Sequence, residues 1–88
     1  MSPDGSRLTA ALSEMDRILE EMIDGQRRKV LRVARDYAPN ATPEDIMNPH
    51  DIPALAAAPT FHFEDGILAG LISAQVALRA GVIRTYGD

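Results

Sequence analysis

The two histidines are the only side chains in this sequence whose ordinary titration falls near neutral pH, and both stand beside acids. They occur as His50-Asp51 and as His62-Phe63-Glu64-Asp65. An imidazole flanked by carboxylates is the raw material of a metal centre or of general acid–base catalysis. The spacing here completes neither. A carboxylate-bridged di-metal bundle needs Glu-x-x-His on facing helices, and a zinc protease needs His-Glu-x-x-His; both are missing. His62, Glu64 and Asp65 remain as a set that an oligomer could share around a metal ion. The competing expectation is a helix start, with acids placed for the helix dipole and a histidine on the surface. Ser2, Ser6, Ser13 and Ser73 lie in no nucleophile-elbow setting, and no glycine-rich phosphate loop occurs. With no nucleophile, base and oxyanion donor converging, the expectation is a protein that is not an enzyme and uses no cofactor.

The run Gln26-Arg27-Arg28-Lys29-Val30-Leu31-Arg32-Val33-Ala34-Arg35 suggests a second chemistry. Arg28, Arg32 and Arg35 share one helical face and could neutralise phosphates. Arg27, Arg28, Lys29, Arg32 and Arg35 are therefore the contacts of an alternative reading, a small nucleic-acid-associated regulator. Against it, no turn and recognition helix precede the run, no aromatic interleaves it for base stacking, and the formal net charge is −4. A solvated or salt-bridged helix face is the expectation preferred. Phe61 and Phe63 could anchor a larger protein client, or cover the end of a bundle.

Behind these residues stand two helical segments. The first is expected over about 6–37, with Ser2 or Ser6 as candidate caps and Pro3 suited to a first turn. Leu8, Leu12, Met15, Leu19 and Met22 alternate four and three apart, a heptad seam that continues through Gln26, Val30, Val33 and Tyr37. Two successive steps of four around Gln26 form a stutter, and Gly25 sits at the same place at a cost of about 1 kcal/mol relative to alanine. Ala11, Ile18, Ile23, Leu31 and Ala34 form a second stripe beside the seam, so one partner helix cannot readily cover both. Charge also changes there. Glu14, Asp16, Glu20, Glu21 and Asp24 precede Gly25, whereas the basic run follows it. Two copies packed antiparallel and crossing near Gly25 would set acidic half over basic half. Such a helix is a rod of about 48 Å, against a diameter near 31 Å for a compact globule of this length. The rod overhangs its own globule. Leu8, Leu12, Met15, Leu19, Met22, Gly25, Gln26, Val30 and Val33 are accordingly the expected self-association surface.

Prolines 39, 43, 49, 53 and 59 punctuate the middle of the chain. Thr42-Pro43-Glu44-Asp45 reads as a capped helix start, and Asp51 as a candidate cap for a further turn through Pro53, Ala54, Leu55 and Ala56. Ile46, Met47, Ile52 and Leu55 imply that this connector packs down. The second helix is expected over about 62–83, with Gly81 as its cap or as part of a continuation toward Arg84. Gly66, Gly70 and Ala74 are spaced by four, as are Ala69, Ser73 and Ala77, so Gly66, Gly70, Ser73 and Ala74 mark close packing against another helix.

With 88 residues and no cysteine, a monomer has neither a large core nor a disulfide to hold it. The absence of cysteine and of any basic, apolar leader pattern gives a cytoplasmic expectation. The charge-free run Gly66–Leu78 is shorter than the roughly 20 residues of a membrane span, so no membrane partner is expected. The combined expectation is one all-α domain over 1–88: a helical hairpin with a proline-rich connector of one or two short turns. It would dimerise into a four-helix bundle or a higher oligomer. Its role would be that of a non-catalytic assembly or adaptor module whose principal partner is itself, with an oligomeric metal-binding protein as the third option.

Overall fold

The computed structural model describes residues 3–86, and every element among them is helical. Helix α1 spans Pro3–Tyr37, helix α2 Pro43–Met47 and helix α3 Pro53–Ala56, with a single 3-10 turn over Pro49–Asp51 between the last two. Helix α4 spans Pro59–Tyr86 and returns antiparallel along α1, so the chain is a helical hairpin with a structured connector. Both long helices exceed their sequence-derived bounds. Proline fits the first turn, where its missing N–H is no loss, and this lets α1 begin at Pro3 and α4 at Pro59. Ser6 therefore lies inside α1 and is not its cap, while Ser2 lies outside the described residues. Gly25 does not interrupt α1, and Gly81 is an interior residue of α4 with no positive φ.

Pro39 stops α1 by excluding the residue before it from further helix. The turn is closed by Ala38 N–H donating to the Ala34 carbonyl at 2.8 Å and Ala41 N–H donating to the Ala38 carbonyl at 2.9 Å. α2 then opens with a full capping box. Asp45 N–H donates to Thr42 Oγ1 at 3.3 Å, and Thr42 N–H donates to Asp45 Oδ2 at 2.9 Å. Asp51 does not cap α3. That position belongs to Ile52, which supplies no side-chain hydrogen bond, because Pro49–Asp51 closes its own turn and Ile52 N–H donates to the Pro49 carbonyl at 3.1 Å.

Burial is uneven along the hairpin. The core lies at its closed end, where Ile23, Val30 and Ala34 of α1 meet Ala41, Leu55, Ala58, Phe61 and Leu68. Phe61, Leu55 and Val30 are wholly buried. Ile46 and Ile52 pack onto this cluster, which is why the connector is held down. From Met22 toward the start of α1, and from Ser73 toward the end of α4, no apolar side chain among the described residues is fully buried. The molecule measures 55 × 19 × 18 Å with a radius of gyration of 17.2 Å. A compact chain of this length would have about 12 Å. The overhang anticipated from α1 alone is therefore real, but α4 runs alongside and shares it.

Candidate assembly surface

The seam Leu8, Leu12, Met15, Leu19, Met22, with its continuation, divides into two rows that do different things. Val30 is buried, and Leu12, Leu19, Gln26 and Val33 half-buried, on the side of α1 that receives α4, together with the buried Ile23 of the second stripe. Leu8, Met15 and Met22 are 41%, 53% and 50% exposed, and Ile18 beside them 45%. Leu12, Leu19, Gly25, Gln26, Val30 and Val33 of the expected self-association surface are thus buried or half-buried within the chain. Leu8, Met15 and Met22 are bare.

Toward its free end the hairpin leaves an open groove of about 840 Å³ between the two helices. Leu8, Leu12, Met15 and Leu19 of α1 line it together with Leu78, Val82 and Ile83 of α4. Polar contacts bridge the helices in place of a dry core. Gln75, itself buried, donates from Nε2 to Glu20 Oε2 at 2.7 Å. Arg79 grips Asp16 with two hydrogen bonds, Nε to Oδ1 at 2.8 Å and Nη2 to Oδ2 at 3.0 Å, and reaches Glu20 at 3.3 Å. That fork holds the Asp16 carboxyl below its ordinary pKa and raises the Arg79 guanidinium above its own.

Nearer the closed end, Glu64 is the one buried acid among the described residues. Gln26 Nε2 donates to its backbone carbonyl at 2.9 Å and to Oε2 at 3.0 Å, and Lys29 Nζ lies 3.2 Å from Oε1. The Gln26 hydrogen bond is the largest influence on Glu64. It outweighs desolvation and, with the nearby charges of Lys29 and Arg32, lowers the pKa below 4.5. Gln26, the polar break in the apolar seam, is therefore a specific partner for a buried carboxylate.

This arrangement disperses the other sequence-derived sites. His62 Nε2 donates to the Ala56 carbonyl at 2.8 Å, while Glu64 turns toward α1, so His62, Glu64 and Asp65 do not converge. No group of three or more His, Cys, Asp or Glu suited to a metal ion occurs among the described residues. Within the basic run, Arg27 lies 3.7 Å from Asp24, Lys29 pairs with Glu64, and Arg35 Nε donates to the Ala41 carbonyl at 3.0 Å. Arg28 and Arg32 are exposed, and the charge of Arg32 acts on the Glu64 carboxyl. Phe61 is core, its ring 5.5 Å from that of His62 in an edge-on contact, whereas Phe63 is 68% exposed. The two aromatics proposed together as docking anchors are thus of opposite kinds.

The outer face of α4 is the larger surprise. Gly66, Gly70, Ser73 and Ala74 are all exposed, so their spacing serves no contact with α1. A Cβ added at Gly66 or Gly70 would meet nothing within 4 Å. Between Asp65 and Arg84 the only charged residue on α4 is Arg79, and it faces α1. By length and composition, the helix over Pro59–Thr85 contains a stretch long and apolar enough to cross a membrane. Counting only the charge-free run missed this, because Arg79 interrupts the sequence but not the apolar surface. Compared with known protein families, curated proteins and solved structures, the chain matches none of them.

Proposed function

We propose that this protein is a non-catalytic assembly module whose hairpin is completed by helices from another subunit. The principal partner would be a second copy, giving a four-helix bundle dimer or a higher oligomer. One observation carries the reading: Leu8, Met15, Ile18 and Met22 are about half exposed, and Leu8 and Met15 line an open groove at the free end that the chain itself leaves unfilled. Contiguous apolar surface of this kind marks an interaction site. The uncharged outer face of α4 offers further surface to cover, and its two glycines weaken the helix with no return inside the chain. The sequence lacks a catalytic constellation, which agrees with a structural role.

Sedimentation and light scattering over a hundredfold range of micromolar concentrations test the proposal, with vesicle flotation run in parallel. The expected result is a mass that rises to twice the chain mass or beyond, without vesicle binding. A folded monomer at the highest concentration overturns the proposal, as does a monomer that floats with vesicles.

A further inference from the structure

The α1 surface that α4 leaves uncovered, which borders the open groove at Leu8 and Met15, carries a heptad repeat of its own. Leu8, Met15 and Met22 recur every seven residues, and Ala11, Ile18 and Gly25 recur every seven between them. All are exposed except the half-buried Gly25. Along one edge of this seam runs a third row, Arg7, Glu14, Glu21, Arg28 and Arg35, also spaced by seven and also exposed. Between Glu14 and Arg35 its sign changes once, from Glu21 to Arg28. The opposite edge is Leu12, Leu19, Gln26 and Val33, which is uncharged and turned toward α4.

We infer that two copies pair through this seam, α1 against α1 and antiparallel, with the two-fold axis near Asp24. The inference rests on the self-assembly reading and specifies its geometry. In an antiparallel pair the first heptad row of one helix meets the second row of the other. Met22 then packs over Gly25 of the second copy, Ile18 over the aliphatic stem of Lys29, and Met15 over that of Arg32. The edge row meets itself in reverse. Glu21 lies beside Arg28 of the second copy and Glu14 beside Arg35, each pair occurring twice by symmetry. A parallel pair would set the same charges beside the uncharged edge and gain none of these contacts.

The monomer is compatible with this exchange. Glu14 and Glu21 both pair with Arg17 on their own helix, in exposed contacts that are weak and readily traded. A Cβ at Gly25 would lie 3.7 Å from Arg28 Nη2, ordinary contact distance, so nothing inside the chain requires glycine there. Room for Met22 of a second copy is what it supplies.

The test uses the full chain with Glu21→Arg, with Arg28→Glu, and with both, each checked for helix content because the two sites are exposed. Either single substitution turns two attractions into two repulsions and should weaken self-association about tenfold. The double variant restores opposite charges and should associate within about twofold of wild type. An equimolar mixture of the two single variants should form a heterodimer. As a second measurement, the chain has no cysteine, so an Ile18→Cys copy should cross-link to a Lys29→Cys copy and not to itself. Singles that associate like wild type, a double that stays weak, or Ile18→Cys copies that cross-link to each other overturn the geometry while leaving self-assembly standing. A wild-type chain that remains monomeric removes both.

Discussion

Replacing Gly66 and Gly70 by alanine should make the isolated hairpin more stable, by an amount the structure lets one work out. Both positions lie inside α4 and well away from its ends. A methyl group at either one would touch nothing within 4 Å, so no steric cost offsets the helix preference for alanine. Glycine is about 0.8–1.0 kcal/mol less favourable than alanine inside a helix, so the double substitution should add about 2 kcal/mol. For a domain of this size each kcal/mol moves Tm by about 4–8 °C, placing the double variant about 8 °C or more above wild type. With a urea m-value of about 1 kcal/mol/M, the midpoint should rise by about 2 M. Thermal and urea melts followed by circular dichroism at low micromolar concentration measure both. Unchanged or reduced stability there would refute the claim that this face of the single chain is open. Repeating the melts at high concentration adds a second reading: a gain that shrinks as protein is concentrated means that another helix occupies the face in the assembly.

Leu55→Ala should cost about 2–5 kcal/mol, because Leu55 is wholly buried among Val30, Phe61 and Ala58 at the closed end and its loss leaves a cavity; urea denaturation reads this directly. Phe61→Ala and Phe63→Ser should separate two neighbouring aromatics, about 3–5 kcal/mol for the buried ring against less than about 0.5 kcal/mol for the exposed one. Glu64 gives a pH dependence of known sign. Its pKa is lowered on folding, so its contribution is complete above 4.5 and is lost as the pH falls through the lower folded value. Glu64→Gln should remove that part of the acid limb when stability is followed from neutral pH downward, and an unchanged limb would exclude Glu64 as its source.

The helical hairpin could be read from the chain because its signals are local. Heptad spacing in α1, and Thr42-Pro43-Glu44-Asp45 at the start of α2, depend on neighbours within a turn. What could not be read is which way each apolar row turns. Leu12 and Leu19 resemble Leu8 and Met15 in every local respect, and only the return of α4 half-covers one pair and leaves the other more exposed. The polar bridges are hidden for the same reason. Gln26 and Glu64 lie 38 residues apart, and Asp16 and Arg79 lie 63 apart, so nothing in either neighbourhood announces the other. Gln26 reads as one more member of the seam when it is the donor to a buried carboxylate. Small residues on α4 likewise signal close packing without saying against what, and the answer within the chain is nothing.

Concentrating the core at the connector makes the two ends of the hairpin unequal in permanence. Separating the helices at the free end breaks the Arg79, Asp16 and Glu20 contacts and exposes side chains that are already half in water. Separating them at the closed end uncovers Phe61, Leu55 and Val30. The hairpin can therefore breathe from its tips like a pair of tongs, with the connector as its rivet. A subunit that seats against α1 or α4 near the tips does more than cover oily surface: it closes the jaws, converting the least protected stretch of backbone into part of a cooperative whole.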